Sequence, residues 1–280
     1  ALHPMAYWRL NESDDGLFDG NPGAICMDCA SGNNGFYTNV YLGLPGYSAS
    51  TDPGEGAVQF GTYADTGSLA PGFGDNIDFG APTGSNAEFS VAAWINGQNF
   101  SQDWAAGFLT IGLYSQEQFT FAHTSTALFA AIDASGVAAG AVSSLNLSAD
   151  SNWHYVVGVC DEANGKVSVY VDGQLQGTAA ITPGAGLRAA TSPLMIGARY
   201  NTTTSSVLQC RGNMNDVAIY NYPLTAEQVG TGYAMAGGVA PFFTQKPANA
   251  NLNTGGGLPL TIPVSVIGTG PLGYSWDDVG

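Results

Sequence analysis

Apolar and polar residues alternate with a period of two along much of the chain. The clearest run is residues 152–177, NWHYVVGVCDEANGKVSVYVDGQLQG. That period belongs to a strand with one buried face. Val167, Val169 and Val171 fall on one side with Ser168 and Tyr170 on the other, and in the preceding run Trp153, Tyr155, Val157 and Val159 share a face. Asn164-Gly165 and Asp172-Gly173 divide the runs, and each pair accepts positive φ at both positions, as a type I′ hairpin requires. The stretch is predicted as three consecutive antiparallel strands. Such a meander has an apolar side, so other parts of the chain must supply strands to cover it.

The same alternation predicts strands at 6–10, 36–42, 57–60, 88–96, 108–114, 118–123, 128–132, 194–200 and 216–220. In 88–96 (EFSVAAWIN), Phe89, Val91, Ala93 and Ile95 face one way and Trp94 the other. Residues 11–34 and 61–88 are rich in Asp, Gly and other turn formers and read as loops, and the small-residue segment 134–149 reads as a connection. One helix is expected, near 224–235. Thr225 is its N-cap, Gln228 completes a capping box, and Gly237-Gly238 ends it. Residues 239–243 read as a linker. Beyond it, Leu260, Ile262, Val264 and Val266 again repeat every second residue.

Several of these stretches carry a resemblance. WHYVVGVCDEANGKVSVYVDGQL at 153–175, PLMIGARY at 193–200 and NMNDVAIYNYPLTAEQV at 213–229, with AYWRLNE at 6–12 and ASGNNGFY at 30–37, resemble the laminin-G-like, concanavalin A-like modules of bacterial surface proteins. The resemblance covers roughly residues 6–237 and implies an all-β fold, a two-sheet antiparallel jelly-roll sandwich. FFTQKPAN at 242–249 and LPLTIPVSVIGTGPLGYSW at 258–276 resemble the beginning of an immunoglobulin-like domain, with Trp276 where a core tryptophan stands. A complete domain of that type takes about 100 residues, and far fewer remain. The expected division is a jelly roll over 1–237, then a linker and a partial immunoglobulin-like segment over 238–280. That segment either continues beyond Gly280 or is completed by a neighbouring molecule's strands, a route to self-assembly through residues 242–280.

Composition narrows the partners. Thirty-nine Gly and 14 Pro in 280 residues suit short strands with frequent turns. Six basic residues (Arg9, Lys166, Arg188, Arg199, Arg211 and Lys246) against 22 acidic ones leave a formal charge of −16, which repels nucleic acid and anionic membranes. No apolar run is long enough to span a bilayer. The chain opens at Ala1 without Met or a signal-like stretch, as expected of a processed chain or a fragment. An extracellular or cell-surface location follows from the resemblance.

The chemistry begins with four cysteines, Cys26, Cys29, Cys160 and Cys210, which allow three pairings. Cys26 and Cys29 have CxxC spacing, but no second CxxC or nearby His completes a zinc set. Resemblance to secreted modules favours disulfides Cys26–Cys29 and Cys160–Cys210. The loop from Asp28 to Asn34 offers Asp28, Ser31, Asn33 and Asn34, oxygen donors of the kind calcium takes; it also reads simply as a turn. The resemblance implies a structural calcium held by Asp28, Asn33, Asn34 and Asp216. Trp94, Trp104, Tyr114 and Tyr200 are candidate aromatic faces for a glycan or a surface protein. Glucanases of related fold carry alternating carboxylates on one strand; no such ExDxxE arrangement occurs, and the adjacent Asp161 and Glu162 fall on opposite faces or in a turn. The expected function is a non-catalytic adhesion or binding module stabilised by calcium. A filament or surface-layer subunit is the second reading and a glycan-processing enzyme the third.

Overall fold

The computed structural model describes residues 2–12, 25–37, 40–48, 56–60, 79–96, 107–113, 116–123, 126–147, 151–190, 194–200, 207–236, 242–245 and 265–267. In chain order the strands are β1 (Ala6–Trp8), β2 (Ile25–Cys26), β3 (Gly35–Phe36), β4 (Tyr41–Pro45), β5 (Gly56–Phe60), β6 (Glu88–Asn96), β7 (Gly107–Ile111), β8 (Phe119–His123), β9 (Thr126–Ile132) and β10 (Ala138–Asn146). They continue with β11 (Trp153–Asp161), β12 (Lys166–Val171), β13 (Gln174–Ala180), β14 (Leu194–Ile196), β15 (Ala198–Tyr200), β16 (Val207–Gln209) and β17 (Gly212–Tyr220). Helix α1 (Ala226–Ala236) follows, then β18 (Phe242–Gln245) and β19 (Ser265–Ile267).

Two sheets pack face to face as a jelly-roll sandwich. One has the order β13-β12-β11-β6-β17-β5-β4 with β1 also on β17, and the other β10-β9-β8-β7-β16-β15 with β14 on β7. Among the described residues, pairing is antiparallel apart from a single parallel bridge, Gln209 to Gly107. The inward rows predicted from alternation form the core: Phe89, Val91, Ala93 and Ile95 from β6, and Val167, Val169 and Val171 from β12, meet Phe108, Phe119, Phe121 and Phe129 of the opposite sheet. Phe121 and Phe129 meet edge to face with centroids 5.4 Å apart. Gly158 on β11 makes room for this cluster, because a Cβ there would stand 2.3 Å from a ring carbon of Phe129.

The three-strand meander forms as β11, β12 and β13, but its two turns differ. Asp172 and Gly173 both have positive φ, 51° and 76°, as the type I′ hairpin requires. At the other turn only Gly165 does (66°), and Asp161 pairs with Lys166 across a four-residue loop in which Gly165 N–H donates to the Glu162 carbonyl at 2.9 Å. Side chains set this longer turn. Asp161 accepts from Asn164 N–H at 3.2 Å, while the buried Glu162 carboxylate accepts from Ala87 N–H at 2.6 Å and Gly186 N–H at 2.7 Å.

Two further expectations change. Residues 134–149, expected to be a connection, contain a full strand, β10, whose inward side chains, Ala139, Ala141 and Ser143, are too small to mark an apolar face. The expected strand 194–200 is broken at Gly197 (φ 80°) into β14, which pairs with β7, and β15, which pairs with β16. The capping box is present: Gln228 N–H donates to Thr225 Oγ1 at 3.2 Å and Thr225 N–H to Gln228 Oε1 at 2.8 Å. In the C-terminal segment β18 and β19 pair antiparallel as a separate two-stranded sheet; Trp276 and most of 258–267 lie outside the described residues.

Candidate functional site

A second apolar layer covers the outer face of the first sheet. Trp94, Tyr155, Val157, Tyr170 and Tyr220 point away from the main core and pack with Leu224 and Val229 of the α1 region. Ser90 anchors the helix approach, accepting from Leu224 N–H at 2.8 Å and donating to the Tyr222 carbonyl at 3.1 Å. Gly232 lets the helix come close, since a Cβ there would lie 2.8 Å from the Tyr155 hydroxyl.

Between helix and sheet lies a cavity of about 650 Å³. Its floor comes from adjacent strands: Tyr155 stands opposite Trp94, and Tyr7 opposite Ala218. Ala218 is a small side chain among floor positions that carry rings. Tyr47 joins the floor by stacking on Trp94 with centroids 4.3 Å apart and planes 6° from parallel. One wall is the face of α1 carrying Glu227, Gln228, Thr231 and Met235, and Leu2 and Pro4 of the amino-terminal segment form another.

Asp216 supplies the floor's charge. It sits in the register shift between Asn215 and Ala218, with φ 49°, the left-handed region that Asp tolerates better than most residues. The irregularity re-aims its carboxylate into the cavity, where Oδ1 accepts from the Tyr7 hydroxyl at 2.5 Å. Burial, with the neighbouring Asp216, pushes the Tyr7 phenol well above its ordinary value. Burial does the same for Tyr155, and it raises Tyr220, also beside Tyr222 and Asp216, to about 12. The phenols therefore act as neutral donors and faces.

The expected calcium residues do not converge on one point. Asp28 Oδ1 accepts from Tyr7 N–H (2.8 Å) and Ala30 N–H (2.9 Å), and Oδ2 from Ser31 Oγ (2.8 Å), Asn33 N–H (2.9 Å) and Asn33 Nδ2 (3.1 Å). Asn34 Oδ1 accepts from Asp28 N–H at 2.9 Å. Burial alone would raise the Asp28 carboxyl, but these donors outweigh it and hold it below the ordinary value of 3.8. The oxygens of Asp28 thus face N–H and O–H donors, and Asp216 faces the cavity. Tyr7 links the two, bound through its N–H to Asp28 and through its hydroxyl to Asp216. This arrangement does not fit a four-residue calcium cage, although it joins the same early loop to the same late strand.

Among the other expected residues, Trp94 lines the cavity but is 4% exposed, sandwiched between Tyr47 and Tyr233, the latter at 5.8 Å. Its indole N–H has no partner among the described residues. Tyr200 lies in β15 with its side chain outside the described residues, as Trp104 and Tyr114 are entirely. The expected disulfides do not form. All four cysteines are free, Cys29 exposed and the others buried. Their sulfurs turn to different carbonyls, Cys160 to Ala87 (3.6 Å), Cys210 to Arg211 (3.8 Å) and Cys29 to Met27 (3.9 Å). Tyr47, Tyr155, Tyr220 and the cavity role of Asp216 are not expected from the sequence; the signal available is a small residue, Ala218, within an aromatic strand.

A family model described as the concanavalin A-like lectin/glucanases superfamily matches residues 71–230. The chain belongs to that superfamily. Similar solved structures include the binding domain of Paraclostridial Mosquitocidal Protein 1, at 11% identity and a TM-score of 0.55, covering 83% of this chain and 52% of that one. The binding domain of botulinum neurotoxin serotype G is similar at 14% identity and a TM-score of 0.51, covering 82% and 50%. The botulinum neurotoxin DC binding domain, solved in complex with rat synaptotagmin II, is similar at 14% identity and a TM-score of 0.50, covering 82% and 51%. This concanavalin A-like chain spans about half the length of each, and at these identities the likeness is one of fold. No curated protein matches it.

Proposed function

We propose that this concanavalin A-like chain is a non-catalytic binding module of the extracellular surface that takes part of a glycan or protein ligand into the cavity beneath α1. The observation that carries the reading is the lining itself, five aromatic side chains and two carboxylates around about 650 Å³. Sites of this size that mix apolar walls with a few polar groups suit binding. Glycoside hydrolysis asks for more. Its acid must be buried enough to stay protonated beside a second carboxylate, whereas Glu227, the other carboxylate of the lining, is exposed on the helix surface. The solved relatives named as binding domains agree with the reading.

Screening glycans and peptides against the full chain and Tyr47→Ala tests it. Loss of binding in the variant, with melting temperature retained, is the expected result. Ligands that bind both proteins equally would move the site elsewhere. A second reading, assembly through residues 242–280, draws on β18 and β19 forming a sheet apart from the sandwich, since two strands alone are marginal. Light scattering of residues 1–280 against 1–237 would show it as a multiple of the monomer mass for the longer chain alone.

A further inference from the structure

We propose that a polar row beside the cavity binds a neutral oligosaccharide, an inference that rests on the reading of this chain as a binding module and names its ligand class. Across five neighbouring strands of the first sheet, Trp153, Asn96, Asn213, Gln59 and Tyr41 stand opposite one another in register. Ile95, Met214, Val58 and Phe60, chain neighbours of the three amides, belong to the main core, so the row lies on the outer face. Trp94 and Tyr155, two positions from Asn96 and Trp153, join it to the cavity floor. None of the five is among the described lining residues of the cavity, and each is half-buried. Paired strands stand about 4.8 Å apart, so the row spans about 19 Å, the reach of a short oligosaccharide and not of a lone sugar ring.

The side chains fix the ligand's chemistry. The row holds three carboxamides between two aromatic rings and no charged group. A carboxamide both donates and accepts, as a sugar hydroxyl does, and the rings suit the C–H faces of sugars. Asn96 Nδ2 donates to the Ser151 carbonyl at 2.9 Å, which holds that amide in place, and its Oδ1 is buried without a donor. Asn213 Oδ1, on the residue directly across, is likewise buried and unpartnered. An acceptor left so costs stability, and the torsion that turns a carboxamide is soft, so a hydroxyl arriving at Asn213 meets an acceptor that the fold leaves unused. Other occupants fit less well. A polypeptide strand adds at a sheet edge, whereas β6, β17 and β5 are paired on both sides. An amphipathic helix needs an apolar stripe, which the amides interrupt. An acidic glycan meets a chain of formal charge −16.

Calorimetric titration of the full chain with cellohexaose, maltohexaose, xylohexaose, mannohexaose and N-acetylchitohexaose, and with hexagalacturonate as the acidic control, tests this. At least one neutral hexasaccharide should bind about tenfold or more tightly than its disaccharide, and hexagalacturonate should not bind. Gln59→Ala and Asn213→Ala should each weaken that binding about fivefold, the effect of one neutral hydrogen bond, and Trp153→Ala about tenfold. Melting temperature separates ligand contact from a structural role. Asn213→Ala removes an unpartnered buried oxygen and should leave Tm unchanged or higher, whereas loss of a structural amide would lower it. Should Trp153→Ala fail to fold, the two amide variants carry the test. Silence of every neutral hexasaccharide at millimolar concentration, binding that the row variants leave unchanged, or equal binding of hexagalacturonate overturns the inference. Tyr47→Ala distinguishes the row from the cavity. Loss in Tyr47→Ala alone keeps the cavity and overturns the row, loss in the row variants alone keeps the row and removes the cavity, and loss in both keeps both.

Discussion

Replacing Asp28 with Asn removes the acceptor on which five donors converge, and its cost can be worked from the surroundings. A hydrogen bond to a charged acceptor contributes about 1.5–3 kcal/mol net, so a simple sum over five would be far too large. Ala30 and Ser31 are exposed, and their donors regain water when the carboxylate is lost. The N–H groups of Tyr7 and Asn33 are the ones held in place, by β1 and by the turn. Two such bonds, with partial compensation by the new amide oxygen, give a loss of about 3 kcal/mol. For a domain of this size that lowers Tm by about 6–12 °C. The pH dependence checks the same reasoning independently. The folded-state carboxyl lies below 3.8, so its stabilisation is complete above that value and is lost as pH falls through the lower, folded-state value. Urea unfolding of both proteins from pH 7 down to pH 3 should show a gap that is constant near neutrality and narrows below about pH 4. A difference under about 1 kcal/mol at pH 7, or a gap that persists unchanged in acid, would refute the account of Asp28 as an anionic hub.

Three other outcomes follow from the geometry. Gly158→Ala pushes a methyl group into the Phe129 ring and should cost about 3 kcal/mol by denaturant unfolding; a neutral effect would mean the aromatic cluster yields freely. Thiol titration should find one reactive cysteine in the native protein, Cys29, and four after denaturation, because burial shields Cys26 and raises Cys160 and Cys210 to about 12. Because Asp28 and Asp216 face different surroundings, millimolar calcium should leave Tm unchanged after chelation; a rise abolished by Asp216→Ala would restore the four-residue site.

Much of the sandwich was legible in the sequence because a period of two needs only a contrast between inward and outward residues. β6 shows it, with Phe89, Val91, Ala93 and Ile95 inward and Trp94 outward as expected. The contrast vanishes where inward residues are small, which hid β10. Turn chemistry was legible at Asp172-Gly173, where both residues take the positive φ that the pair allows. It misled at Asn164-Gly165, where the buried Glu162 carboxylate, bonded to two distant backbone N–H groups, outweighs local preference. The Asp28 loop was recognisable as a cluster of oxygen donors, but whether those oxygens meet a metal or backbone N–H groups depends on how the loop closes. The cavity was least legible. It requires a strand irregularity beside Asp216, Ala218 set among rings brought from other strands, and Tyr47 arriving from beyond β4.

Helix α1 also defines where a usable copy of this module ends. The first sheet is apolar on both faces, so a version cut after Tyr220, where the last strand of the sandwich ends, would bare the Trp94, Tyr155 and Tyr220 layer and invite aggregation. Anyone grafting the module between other domains, or swapping it among related proteins, should carry the chain through Ala236 and keep Leu2 and Pro4 at the front. The exchangeable unit is the sandwich together with its helical cover.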